Sequence, residues 1–201
     1  MPYVDSAVRA PQIVAAARRV LIRDGVARAS LRSVAAEAGI PLGTLQHVFP
    51  SKQLLLQAVI EQVVDDIADV LRRSAETDGG LEHAIRRGLA NFWSELVEGR
   101  RELQALQYEL TTHAVRTPGL EHLAREQYER YVDAVRHWCV EAATRSGEVS
   151  SVPYDRLARL TVAAIDGLIL QQIADPDPAR SANDLASIAD MIVGLAAPSA
   201  A

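Results

Sequence analysis

Apolar residues recur at three- and four-residue spacing along almost the whole chain, the period of helices that bury one face. No stretch alternates apolar and polar positions with β-branched enrichment, so no strand is predicted. A first helix is expected over 8–24, with Ile13, Ala16, Ala17, Val20 and Leu21 on one face and Gly25 as its stop. Ser30 suits the N-cap of a second helix over 31–38, closed by Gly39. Pro41 opens a short third over 42–48. Phe49-Pro50 breaks the pattern, and Ser51 caps a long fourth helix to 74, with Leu55, Val59, Val63, Ile67 and Val70 in one row. Further helices are expected over 81–98, 101–115, 120–146, 155–173 and 181–196. The pattern therefore predicts an all-α protein of about nine helices.

The helix over 155–173 is apolar nearly all round from Leu160 to Leu170, interrupted by Thr161, Asp166 and Gly167. Such a helix must be covered on both sides. A second apolar helix follows across Asp175-Pro176-Asp177-Pro178. A chain of 201 residues leaves little to cover both faces of that hairpin. A homodimer is therefore expected, a four-helix interface built from Leu157, Leu160, Ala164, Leu168, Leu185, Ile188 and Ile192. The alternative places both helices at the centre of a monomeric bundle.

Composition changes this picture little: 49% apolar and 23% charged residues argue against disorder. The single cysteine, Cys139, excludes an intrachain disulfide and any multi-cysteine zinc site. No uninterrupted run of 18 apolar residues occurs, and Met1–Asp5 carry no basic stretch before an apolar core, so a cytoplasmic protein with no membrane partner is expected. Charge is more informative. The whole chain carries −5, yet residues 1–57 hold seven basic side chains (Arg9, Arg18, Arg19, Arg23, Arg28, Arg32, Lys52) against Asp5, Asp24 and Glu37, a net +4 on a body of −9. A basic head on an acidic body suits a polyanion-binding module with a different task behind it.

Residues 31–49 supply the candidate for that head: a short helix, a glycine turn at Gly39 and a second short helix. Val34, Ala35, Ala38, Ile40, Leu45 and Val48 are expected inward, leaving Thr44, Gln46 and His47 outside. Short polar side chains on such a helix can reach base edges in a major groove. The surrounding residues sharpen the reading. Ile13-x3-Ala17, Gly25, Ser30-Leu31-Arg32-Ser33-Val34-Ala35, Ala38-Gly39-Ile40, Gly43-Thr44-Leu45 and Phe49-Pro50-Ser51-Lys52 with Leu54-Leu55 closely resemble the tetracycline-repressor-type (TetR) family over about residues 9–60. The resemblance implies an N-terminal three-helix helix-turn-helix domain over 1–50, joined by the first turn of helix 51–74, and a ligand-binding and dimerisation body over 51–201. It implies a homodimer on a double-stranded operator, controlled by a small-molecule effector. The DNA-facing candidates are Arg9, Ser30, Arg32, Leu42, Gly43, Thr44, Gln46, His47, Ser51 and Lys52. Gln46 stands where the family usually has a tyrosine on the DNA backbone; its amide suits an adenine edge or a phosphate.

In the body, Trp93, Gln107, Tyr108, Thr111, Tyr131, Trp138 and Asp166 are candidates for a ligand pocket, flat apolar walls with polar tips. Asp166 interrupts an apolar helix and needs a partner. It can bind a ligand cation, pair across a dimer, or sit beside Gly167 at a close helix contact. Glu109-x3-His113 and Asp133-x3-His137 each put an acid and a histidine on one helical face; together they could make a metal site between the helices over 101–115 and 120–146, but they are read as two surface pairs, so no metal is expected. No phosphate loop, Gly-x-Ser-x-Gly or His-Glu-x-x-His occurs, so neither cofactor nor enzyme activity is expected; a small all-α enzyme and a helical adaptor are the rival classes.

Overall fold

A computed structural model describes residues 6–201, with side chains from Arg9 onward; Met1–Asp5, read above for a leader, lie outside them. The described residues form α1 Ser6–Arg28, α2 Leu31–Glu37, α3 Leu42–Val48, α4 Lys52–Ser74, α5 Gly80–Phe92, α6 Arg101–Arg116, α7 Glu121–Ser146, α8 Tyr154–Ala174 and α9 Pro178–Ala196. The all-α expectation holds. The chain divides into two compact units: residues up to Val64 with Ala105–Arg125, and Asp65–Gln104 with Glu126–Ala201.

In the first unit α1 packs on α2 and α3, and α2 on α3. Ile13, Ala17 and Val20 of α1, Val34 and Ala35 of α2, Leu45 of α3 and Leu55, Val59 and Ile60 of α4 are all buried. Each large side chain among them contributes about 1.5–3 kcal/mol through removal from water. Ala38, Ile40 and Val48, expected inward, are half-buried. Gly25 interrupts α1 at φ 77 and ψ 164, a left-handed conformation that costs a residue with a Cβ, and one further turn reaches Arg28. Ser30 caps α2 reciprocally: its hydroxyl accepts from the Ser33 amide at 3.1 Å, and the Ser33 hydroxyl accepts from the Ser30 amide at 3.0 Å. Serine here takes the return position usually held by Glu or Gln.

In the second unit α9 packs on both α5 and α8. Its core includes Leu81, Ile85 and Leu89 of α5, Val135, Cys139 and Ala142 of α7, and Leu157, Ala158 and Ile169 of α8. Arg86 ties α5 to Asp190 of α9 at 2.6 Å. Two departures from the sequence reading occur. The expected helix over 81–98 is α-helical only to Phe92 and continues as a π-helical turn over Trp93–Val97, with the Gln104 amide donating to the Leu96 carbonyl at 2.6 Å. Two short strands were not foreseen: β1 Glu148–Val149 pairs antiparallel with β2 Ser199–Ala200, pinning the tail. Two-residue strands are too short to show alternation.

α8 reaches a mean hydropathy of 1.3 over 18 residues, the level of a membrane span by length and composition. Its apolarity has another cause. Leu157, Ala158, Val162, Ile165, Leu168 and Ile169 are enclosed within the unit, as in the core helix of a bundle.

Cys139 lies in that core, and burial pushes its thiol up to about 12. The thiolate is the reactive form. Iodoacetamide at pH 8 is therefore expected to leave the folded protein unlabelled over hours and to label one site after denaturation. Rapid labelling of the folded chain, followed by mass spectrometry, would contradict this placement.

Candidate nucleic-acid interface

α2 and α3 present a helix-turn-helix whose second helix is anchored by Leu45, fully buried. Gly39 at φ 66 makes the turn, and the Ile40 amide donates to the Ala35 carbonyl at 3.0 Å across it. With Leu45 pointing in, Gly43, Gln46 and His47 are exposed, and Leu42 and Thr44 are half-buried. Arg32 and Ser30 are exposed at the start of α2, and Arg9 is half-buried on α1. The Ser51 hydroxyl accepts from the Leu54 amide at 3.2 Å, so it caps α4 beside Lys52.

Part of the basic charge of the head is neutralised locally. Arg19 and Arg23 both bind Glu37, at 2.7 and 3.1 Å, and Arg23 also binds Asp24. Those hydrogen bonds, from Arg19 first and then Arg23, hold the Glu37 carboxyl below the usual carboxylate range. The Lys52 ammonium donates to the Val26 carbonyl at 2.7 Å. It retains two further N–H donors.

Val26 is held from its other side as well. Its N–H donates to Glu109 Oε1 of α6 at 2.8 Å, across 83 residues of sequence. The turn at Gly25 and Val26 is thus bound to α4 through one group and to α6 through the other. A cleft of about 520 Å³ opens here, lined among others by Lys52, Tyr108, Glu109, His113 and Arg116. Sequence reading marked Glu109 only as half of an acid–histidine pair. Its long-range partner is a backbone amide, which leaves no signature in residue type.

The pocket candidates fall into both units. Gln107, Tyr108 and Thr111 belong to the first, where Thr111 Oγ1 donates to the Gln107 carbonyl at 2.9 Å. Trp93, Tyr131, Trp138 and Asp166 belong to the second. Trp93, Tyr131 and Trp138 are buried and Asp166 is half-buried. The Tyr131 hydroxyl and the Trp138 indole N–H have no hydrogen-bond partner among the described residues. Asp166 accepts a hydrogen bond from the hydroxyl of Tyr128, a residue outside the candidates read from sequence. Burial, and after it Asp166, raise the Tyr128 hydroxyl above its usual range. Nothing lies within 4 Å of where a Cβ would stand on Gly167, so the reading of a close helix contact there does not hold within the protomer.

The expected interface set also divides. Leu157 and Ile192 are 0 and 4% exposed, so they belong to the chain's own core rather than to an outward face, while Leu168, 5% exposed, is buried but still lines a groove on α8 and α9. The apolar run hid this, because a helix apolar all round does not show which side its own bundle takes. Leu160 is 41% exposed, and Ala164, Leu185 and Ile188 are half-buried. A groove of about 420 Å³ on α8 and α9 is lined by Ala163, Ala164, Gly167, Leu168, Ser187 and Ile188, among others.

A helix-turn-helix with exposed polar residues on its second helix, on a helical body, defines a class of DNA-binding regulator. The family description for tetR-type bacterial regulatory proteins matches residues 13–59, and that for tetracyclin repressor-like C-terminal domains matches 82–197. The chain belongs to the TetR family of bacterial transcriptional regulators, which are not enzymes. It is 29% identical over 177 residues to the nicotine-responsive transcriptional repressor HdnoR of Paenarthrobacter nicotinovorans, covering 88% of this chain and 90% of that one. The crystal structure of the multidrug binding protein EbrR complexed with ethidium superposes with a TM-score of 0.69 at 28% identity, covering 94 and 98% of the two chains. A transcriptional regulator from Rhodococcus sp. Rha1 shares the fold, with a TM-score of 0.76 at 23% identity over 92 and 96% of the chains.

Proposed function

We propose that this regulator is a cytoplasmic repressor that binds a pseudo-palindromic operator as a homodimer and is released by a small molecule held in its C-terminal body. The double grip on Val26 carries this reading: the N–H and the C=O of this residue, in two successive peptide groups of the DNA-binding head, are bound by α6 and by α4. The tie gives α6 a direct hold on the backbone of the head. α4, α6 and α7 each run unbroken from one compact unit into the other. A ligand that moves α6 therefore has a mechanical path to the turn at Val26.

On DNA, α3 enters the major groove, with Thr44, Gln46 and His47 toward base edges beside Leu42 and Gly43. Arg9, Ser30, Arg32, Ser51 and Lys52 contact phosphates. The two heads of a dimer then sit about 34–36 Å apart, or a multiple of a helical turn. Leu160, Ala164, Leu185 and Ile188 supply the face for the second copy, and small residues along the groove leave room for its side chains. The nicotine response of one relative and the ethidium bound by another support a small aromatic or amphipathic effector, for which Trp93, Tyr131, Trp138 and Asp166 are the candidate contacts.

The test is fluorescence anisotropy with a labelled duplex from the DNA upstream of the protein's own coding sequence. Specific binding is expected to be tighter than binding to a scrambled duplex by about 10³-fold or more, and to fall steeply with salt. Equal affinity for the two duplexes would overturn the assignment. Glu109→Ala is expected to keep operator affinity within about threefold while cutting the effect of any releasing molecule from about 5–150-fold to near unity. Full release from the variant would remove Glu109 from the path.

A further inference from the structure

On one face of α7, Gln127 Nε2, the Tyr131 hydroxyl and the Trp138 indole N–H are buried polar atoms with no hydrogen-bond partner among the described residues. Tyr131 and Trp138 are seven residues apart, so they lie about 20° apart around the helix and about 10 Å apart along it. Tyr131 is 3% exposed and Trp138 2%, and neither the hydroxyl nor the indole N–H finds a hydrogen-bond partner among the described residues. Orphaned buried groups of this kind are costly to keep, so a face that holds several of them is suited to a ligand that satisfies them. α5 gives way to the indole: a Cβ on Gly88 would stand 3.0 Å from Trp138 Cη2.

At the Tyr131 end the chemistry changes sign. The Tyr128 and Tyr131 rings meet edge to face, with centroids 6.2 Å apart at 73°. Asp166 of α8 accepts from the Tyr128 hydroxyl and acts electrostatically on Tyr131. Arg130, the cation that acts on Tyr131, is ion-paired with Asp65. Asp166 does not line the groove where α8 faces outward, although its neighbour Gly167 does. A carboxylate beside two tyrosine rings attracts a cation twice, through its charge and through the ring quadrupoles.

We propose that the effector is an organic cation, its ammonium-type head held at Asp166 beside the Tyr128 and Tyr131 rings and its flat apolar body lying along α7, with a hydrogen-bond acceptor toward the Trp138 indole. This rests on the reading of the chain as an effector-controlled regulator. It selects among the three roles open to Asp166 the one that the geometry around Tyr128 supports.

The experiment is isothermal titration of the protein with 4-(3-trimethylammoniopropoxy)quinoline. The comparison ligand is its neutral isostere, in which tert-butyl replaces trimethylammonium. Operator anisotropy is read on the same samples. The cation is expected to bind about tenfold or more tightly than the isostere. Asp166→Asn is expected to reduce that preference to within about threefold. Trp138→Phe, which removes the indole donor, is expected to weaken both ligands alike and keep the preference. The wild-type comparison needs no variant and stands even where a substituted chain does not fold. Equal binding of the two ligands, or a preference that survives Asp166→Asn, overturns the proposal. A neutral compound that releases operator where the cation does not overturns the cation while leaving the regulator intact. Tight binding of the cation with unchanged operator affinity also overturns it, because the site then holds a ligand that is not an effector.

Discussion

Ile188→Glu is expected to convert the protein to a monomer in sedimentation velocity at micromolar concentration. Ile188 lies half-buried on α9 at the groove formed with α8, where Ala163, Ala164 and Gly167 leave space and no cation among the lining residues is available to pair with a carboxylate. Asp184, in the same lining, adds repulsion. In a two-fold interface each copy contributes the same residue, so one substitution places two charges in the contact. An unpaired buried charge costs about 3 kcal/mol or more, which weakens association by at least about 100-fold. Operator affinity falls with it, because a monomer engages one half-site and loses the linked second binding event. The fold of each protomer is expected to survive, because Ile188 is only half-buried within it, and circular dichroism reads that directly. A variant that sediments as a dimer would place the interface elsewhere.

Leu45→Ala is expected to abolish operator binding while leaving the oligomeric state unchanged. Leu45 is the one residue of α3 that the head encloses completely. Truncating a buried leucine costs about 2–5 kcal/mol, from lost transfer energy and the cavity left behind. A seven-residue helix has little stability of its own and is held by this contact, so α3 frays before the rest of the unit. Affinity for the operator should drop by about 100-fold or more, with hydrogen exchange rising first across 42–48. The groove on α8 and α9 belongs to the other compact unit, so sedimentation should not change. Wild-type operator affinity in this variant would mean that α3 is not the element that docks.

The helix starts and stops were legible because they rest on neighbours in sequence. Ser30 capping α2, Gly25 breaking α1 and Gly39 turning into α3 are decided within a few residues by side-chain hydrogen bonds and by left-handed backbone that only glycine takes without strain. The helix-turn-helix was legible for the same reason, and with it the exposure of Gln46 and His47, fixed once Leu45 turns inward on a 3.6-residue period. That Asp166 requires a partner was also readable, from a carboxylate set in an apolar run.

Which partner each group takes was decided only in three dimensions. Glu109 finds the Val26 amide across 83 residues, and Asp166 finds the Tyr128 hydroxyl from another helix; backbone amides and hydroxyls are present everywhere, so no spacing rule selects them. β1 closes on the tail at Ser199–Ala200 through backbone bonds that ask almost nothing of side chains. α8 shows the limit most clearly. Periodicity locates a buried face only where polar residues mark the opposite one, and α8 is apolar on nearly every side. Whether Leu157 and Ile192 pack inward and Leu160 outward therefore follows from how α9 and α5 settle against α8 and each other, a tertiary outcome that the order of apolar residues leaves open.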